Sequence, residues 1–234
     1  MTTAPLLFAA PKLQTVPVAG KAAVYPIHRI FCVGRNYEAH AKEMGAEVDR
    51  EAPFYFTKSP QAVLSSGATL AYPPGTGDLH HEMELVVALG APLFKATVED
   101  ARQAIYAYGC GLDMTRRDLQ AKAKEKRRPW DLGKDFEGAA VLAEMTKAAE
   151  FGEVADQRIH LRVNGEIRQD ASLSELIHGV AEVLADLSHY YHLDAGDLVM
   201  TGTPAGVGPV VAGDLLEGGI DGLAPISLRI GPAE

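Results

Sequence analysis

The chain is built from short apolar runs with polar punctuation between them, and few stretches carry helical spacing. RIFCVG (29–34) predicts a buried strand, FYFTK (54–58) a strand by its aromatic content, and ELVVALG (84–90) a third. NYEAHAKEMG predicts a short helix over 37–44, with Asn36 as its N-cap and Gly45 as its stop. Thr97 is placed to cap a helix over 98–107 whose first turn holds Glu99 and Asp100. YGCGLDM (108–114) predicts a glycine-containing strand, and Thr115 opens a helical segment reaching about Lys126. HLRVNGEIRQDA (160–171) alternates on both sides of Asn164-Gly165, which predicts a hairpin. Ser172 or Ser174 then opens the longest helix, to about Tyr191, and short strands separated by Gly and Asp run from DLVMTGTP to residue 230.

Residues 1–27 are rich in Pro and Ala and weakly periodic, so 1–28 is expected to be an arm of irregular chain or edge strands. No linker or fixed-period repeat divides the remainder. Helices do not alternate regularly with strands, as a doubly wound sheet requires. The expected fold class is α+β: mainly β with helices, a sandwich or roll made by one domain over 29–234.

Chemistry enters at LHHEMELV (79–86), which crowds two histidines and two glutamates into 80–84 just before an apolar run. Side chains alternate along a strand, so Glu82 and Glu84 share a face, and His80 joins them if the strand begins early enough. Two partly desolvated carboxylates about 7 Å apart along a strand repel unless a cation or a proton lies between them. All-carboxylate ligation favours Mg2+ or Mn2+ over zinc. The pair alone fits a strand end with solvated glutamates equally well. An H-E-x-x-H zinc site is excluded, because no second histidine follows at that spacing.

Asp113 closes the glycine-rich apolar strand just before a helix start, which makes it the candidate third ligand; a plain acid at a helix N-terminus looks the same. His40 and Glu43 lie three apart on the predicted short helix and share a face. A carboxylate beside an imidazole orients it and stabilises its protonated form, as a general base requires, although such pairs are also ordinary surface ion pairs. Lys134 stands between apolar neighbours in WDLGKDF, a place for a snorkelling or a functional lysine. Arg117 and Gln120, three apart after Asp113, can face the same pocket. TGTPAGVG (201–208) lacks the G-K-[ST] ending of a phosphate loop, yet its backbone amides can bind a carboxylate.

Composition narrows the partners. Of 234 residues, 47% are hydrophobic and 23% charged, enough for a sizeable core. A net charge of −9 argues against nucleic acid or an anionic membrane as the main partner. The one basic cluster, KAKEKRR (122–128), is most simply a solvated face. Cys32 and Cys110 sit in apolar runs and are expected to be buried and reduced. No basic segment precedes an apolar h-region, and no run approaches the ~20 apolar residues that span a bilayer, so a cytoplasmic protein is expected.

Taken as an ordered set, FCVGRNYEAHAKEMG, FYFTKSPQAV, LHHEMELVVALG, GLDMTRRDLQ, PWDLGKDF, RVNGEIRQD, GDLVMTGTPAGVGP and GDLLEGGIDGLAPISLRI resemble the fumarylacetoacetate hydrolase family. The resemblance runs from about residue 29 through nearly the whole chain. It implies the family's mixed β-sandwich roll, usually a homodimer, with one divalent metal ion, Mg2+ or Mn2+, on Glu82, Glu84 and Asp113. It implies a His40–Glu43 pair that activates water, a substrate-contacting Lys134, and Arg117, Gln120 and Thr203 lining the pocket. The implied reaction is hydrolysis of a C–C bond in a small 2,4-dioxo acid. TRRDLQ, RRPWDLGK and the compact length are similar to the members that split fumarylpyruvate in gentisate-type aromatic degradation. Acylpyruvases, oxaloacetate decarboxylases and hydroxymuconate-type isomerases share the metal site and stand as alternatives. A non-catalytic module binding a metal–dicarboxylate complex is a further one.

Overall fold

The computed structural model describes residues 5–45, 47–48 and 50–233. An antiparallel pair, β1 (Thr15–Pro17) and β2 (Val24–Pro26), comes first. It contributes Val16, Val18, Tyr25 and Ile27 to the core. β3 (Arg29–Gly34), α1 (Glu38–Glu43) and β4 (Phe54–Lys58) follow, then β5 (Val63–Ser65) and β6 (Thr69–Tyr72). The middle of the chain holds β7 (Leu79–His81), β8 (Met83–Leu89), α2 (Val98–Ala104), β9 (Ile105–Asp113), β10 (Thr115–Arg116), α3 (Arg117–Glu125) and α4 (Asp131–Lys134). After β11 (Ala140–Leu142), β12 (Thr146–Lys147) and α5 (Ala148–Phe151) come β13 (Arg158–Val163), β14 (Glu166–Ser172) and α6 (Val180–Leu187). β15 (Asp197–Met200), β16 (Gly208–Val210), β17 (Leu215–Ile220) and β18 (Ile226–Ala233) complete the chain.

The expected class holds: a mainly β, mixed-sheet architecture with few helices. The largest sheet has the order β4-β3-β15-β8-β9-β11-β5, with β12 beside β9. A second runs β14-β13-β17-β18-β6, and a third has three strands, β10-β7-β16. Pairing is antiparallel except for β15 with β3, β11 with β5 and β18 with β6. The second sheet packs on β8, and Gly218 permits the close approach: a Cβ there would sit 2.9 Å from Met83 Sδ. β8 is buried along its whole length and β9 over all but its first two residues, which is why both read as continuous apolar runs. Cys32 and Cys110 are buried and free, as expected.

Local signals fared unevenly. Asn164 and Gly165 both take positive φ, 52° and 81°, the type I′ geometry that an Asn-Gly pair supplies. Thr97 makes a reciprocal capping box with Asp100. Asn36, by contrast, does not cap α1. Its side chain accepts from His178 N at 2.8 Å and donates to the carbonyls of His178 and Thr201, both at 2.9 Å. The helix expected from Ser172 to Tyr191 is broken for the same reason. Ser172 caps only a 3-10 turn, Leu173–Glu175, and the hydrogen bonds from Asn36 then hold residues 177–178 out of helical conformation. α6 restarts at Gly179, whose N–H donates to Glu182 at 2.7 Å, and ends at Leu187. The helix expected from Thr115 begins two residues later, after β10, and the one expected to reach 107 ends at Ala104, where β9 begins.

Candidate active site

Three segments cross between the largest and the three-stranded sheet at one corner. β7 passes into β8 at Glu82, β9 passes into β10 after Asp113, and β15 passes into β16 through residues 201–207. The first two are tied by a hydrogen bond from Asp113 N to Glu82 O, 2.9 Å. Glu84 lies across from Gly111 in the β8–β9 register, and a Cβ on Gly111 would overlap Val86. The corner therefore brings oxygens of Glu82, Glu84 and Asp113 within 4.8 Å of one another, all three buried. Glu82 occupies the break between strands, not a pleat position. His80 stays on β7 and bonds Asp78 at 2.9 Å, so it does not join the acidic group.

Three cations surround these carboxylates. Lys134, at the end of α4, donates to Glu82 at 2.7 Å, Asp113 at 2.6 Å and Thr115 Oγ1 at 2.8 Å. Arg117, opening α3, donates to Glu82 and, at 2.7 Å, to Gln120 Oε1. Lys58, at the end of β4, is fully buried with its Nζ 2.8 Å from Asp113 Oδ1. Burial by itself would raise the Glu82 carboxyl, but Lys134 and Arg117 outweigh it and hold Glu82 well below the usual range. Glu84 goes the other way: burial, then Asp113 and Glu82, push it far up against a single backbone donor, Gly202 N at 2.7 Å. Burial also disfavours the Lys134 ammonium, yet Asp113 and Glu82 prevail and raise it above the ordinary lysine value.

The donor set fits a divalent ion. Its oxygens are hard ligands, and a cation among them would offset the burial and the repulsion that raise the Glu84 pKa. Asp113 Oδ1 has no aligned hydrogen bond despite the nearby Lys58 ammonium, and so keeps a lone pair for a ligand bond.

His40 faces the same cavity from α1. Its Nδ1–H donates to Glu43 Oε2 at 3.1 Å, which leaves the lone pair of the neutral ring on Nε2. Burial lowers its pKa below 6.5, while Glu82 and Glu43 oppose the fall. Glu43 is itself held by Gly206 N at 3.0 Å. Gly206 has φ +97°, and a side chain there would run into the Arg168 carbonyl, so the 201–208 loop needs glycine at this point. The amides of that loop do bind carboxylates, as expected, but two of the protein's own: Glu84 and Glu43. The Thr203 hydroxyl lines the cavity while donating to Met83 O at 2.8 Å.

Three supporting residues escaped the sequence reading. Lys58 closes an aromatic strand, and a lysine ending such a run was its signal. Gln169 pairs across the hairpin with buried Leu161, an inward position where a polar residue stands out. Asn36 left no signal beyond its helix-capping composition.

A family model described as fumarylacetoacetate (FAA) hydrolase C-terminal matches residues 29–230. The chain belongs to the fumarylacetoacetate hydrolase family. Among family members, a fumarylpyruvate hydrolase of Ralstonia sp is 54% identical over 194 residues, 82% of this chain and 100% of the relative. The oxaloacetate tautomerase YcgM of Escherichia coli K12 is 43% identical over 199 residues, 85% of this chain and 90% of the relative. The crystal structure of fumarylpyruvate hydrolase from Pseudomonas aeruginosa in complex with Mn2+ and pyruvate superposes with a TM-score of 0.94 at 42% identity, covering 97% of this chain and 100% of that one. The β roll described above is thus the family fold.

Proposed function

We propose that this chain is a divalent-metal-dependent hydrolase of 2,4-dioxo acids that splits fumarylpyruvate into fumarate and pyruvate. The observation that carries the reading is one cavity lined by two of the three clustered carboxylates and by His40, whose ring is oriented by Glu43. Glu82, Glu84 and Asp113 would hold Mg2+ or Mn2+, which when bound supplies Lewis acidity at the 2-oxo acid end of the substrate. His40, neutral because burial lowers its pKa, takes a proton from water at Nε2. The hydroxide adds to the C4 carbonyl, the C3–C4 bond breaks with its electron pair left on the pyruvate fragment, and the His40 proton passes to C3. Glu43 stabilises the imidazolium during that exchange. Lys134 and Arg117 supply positive charge for the enolate oxygen and the C1 carboxylate, while Gln120 fixes the Arg117 guanidinium. Thr203 packs the cavity wall.

With this reading go a single catalytic unit over 29–234, a homodimer, a cytoplasmic location and a role in gentisate-type aromatic degradation. Among the described residues no helix is long and apolar enough to cross a membrane.

A second reading, oxaloacetate as substrate for tautomerisation or decarboxylation, draws on the 43% identity to the Escherichia coli tautomerase. Decarboxylation leaves the His40–Glu43 pair without a water to activate, whereas tautomerisation would use His40 as the base at C3. The test is loss of the enol absorbance of fumarylpyruvate with metal stripped and then Mg2+ or Mn2+ restored. Metal-dependent loss with stoichiometric fumarate and pyruvate supports hydrolysis. No loss, alongside turnover of oxaloacetate, moves the assignment to the second reading.

A further inference from the structure

The cavity at the carboxylates is small, about 20 Å3, but it shares Gly34, Arg35, Met44, Lys124 and Trp130 with an adjoining cavity of about 870 Å3. Two of the shared residues are cations. Each rests over an aromatic ring: Arg35 is 5.5 Å from the centre of Phe54, and Lys124 is 4.8 Å from that of Trp130. Among the described residues neither forms an ion pair, unlike Arg50 in the outer cavity, which is held by Glu38.

Both side chains are exposed, and what is held is the backbone that carries them. Arg35 has φ 60°, a conformation that residues other than glycine rarely adopt. The next residue, Asn36, is pinned by its three side-chain hydrogen bonds to residues 178 and 201. Lys124 extends the row begun by Arg117 and Gln120: spacings of three and four residues put all three on one face of α3. Arg117 bonds Glu82, and Lys124 stands two turns away, about 10 Å along the helix axis at about 1.5 Å per residue. Desolvation of the Lys124 ammonium, then Arg117 and Arg35, push its pKa down to about 8 against the pull of Glu82, and Glu47 and Glu51 line the outer cavity beyond.

That spacing suits a substrate charged at both ends. An extended chain advances about 1.2 Å per bond, so the two carboxyl carbons of a seven-carbon diacid lie about 7 Å apart. A lysine side chain reaching back toward the centre covers the difference. We propose that Arg35 and Lys124 form a carboxylate subsite at the outer end of the cavity, which makes 2-oxo acids bearing a second, distal carboxylate the preferred substrate class. This rests on the reading that the 2-oxo acid head binds at Glu82, Glu84 and Asp113.

Calorimetry on the Mn2+-loaded protein tests it with two non-cleavable seven-carbon ligands: 2-oxopimelate, which carries the distal carboxylate, and 2-oxoheptanoate, which ends in a methyl. Two charge-assisted hydrogen bonds give an expected preference of about 10- to 100-fold for the diacid. Lys124→Gln and Arg35→Gln should each cut that ratio, and the double variant should bring it near unity. A wild-type ratio near unity, or a ratio unchanged in the double variant, overturns the proposal. The outcome is separate from catalysis: a preserved preference without fumarylpyruvate turnover keeps the subsite and removes the hydrolysis reading, whereas turnover without preference does the reverse.

Discussion

Gln169→Leu is the substitution that best separates scaffolding from chemistry. Gln169 touches none of the three clustered carboxylates, yet every polar atom of its buried amide is used. Nε2 donates to Thr203 Oγ1 and to Pro204 O, both at 2.8 Å, and Oε1 accepts from Met83 N at 3.0 Å and from His81 Nδ1 at 3.2 Å. Met83 is the residue between Glu82 and Glu84, and Thr203–Pro204 belong to the loop that holds Glu84 and Glu43. Leucine keeps the volume and loses all four bonds. The Thr203 hydroxyl still donates to Met83 O, and His81 can move its proton to Nε2, so the main cost falls on the orphaned Met83 N–H and the Pro204 carbonyl. At about 1–3 kcal/mol per buried unsatisfied group, the loss is about 2–6 kcal/mol. For a chain of this size that lowers Tm by about 4–24 °C. Because the ligand spacing loosens with it, Mn2+ affinity should fall about 10-fold or more, the usual range for residues that support metal ligands. Thermal unfolding with and without Mn2+, and Mn2+ titration by calorimetry, measure both. A variant with unchanged Tm and unchanged Mn2+ affinity would refute the claim that the hairpin sets the metal-site geometry.

Lys58→Met should destabilise the metal-free protein by about 3–5 kcal/mol, because it leaves Asp113 short of a buried counter-charge. Mn2+ should recover part of that in urea unfolding; an equal loss with and without Mn2+ would contradict it. His81 is buried and its pKa is pushed down from 6.5 to about 4. The unfolded chain therefore takes up a proton that the folded chain refuses. Stability is unaffected by this group above about pH 7 and falls by about 3 kcal/mol as pH drops from 6.5 to about 4, at 1.36 kcal/mol per pH unit. His81→Gln should flatten that part of the pH profile, and an unchanged slope would clear His81. Glu43→Gln removes a charge that raises the His40 pKa. The acid limb of kcat/KM should move to lower pH while kcat falls about 100-fold; an immobile limb would show that the pair does not act together.

What was legible in the sequence follows from how local each signal is. Asn164-Gly165 fixed its hairpin because two positive φ angles are a property of those two residues alone. The Thr97 cap likewise needs only three residues of context. The failed helix from Ser172 shows the limit: its capping box is real, but Asn36, 142 positions away from His178, outcompetes the helix at 177–178. The charged members of the site were visible because Glu84, Asp113 and Lys134 are polar residues among apolar neighbours. Their meeting point came from the family resemblance of the ordered motifs, since the switch of β7–β8, β9–β10 and β15–β16 between two sheets leaves no mark on any one segment.

That topology explains why the supporting residues matter as much as the clustered carboxylates. A strand that leaves one sheet for another gives up ladder hydrogen bonds at the corner, and buried backbone groups there must find other partners. Asn36 and Gln169 supply them to Thr201, Met83 and Pro204, the residues that flank the acidic centre. The same corner that lets two strand passages aim carboxylates inward, and a third aim amides at them, therefore depends on two uncharged amides. Loss of either amide should be felt first as weakened metal binding and only afterwards as a slower reaction, because His40 and Glu43 would still be present but would face a centre whose oxygens no longer converge.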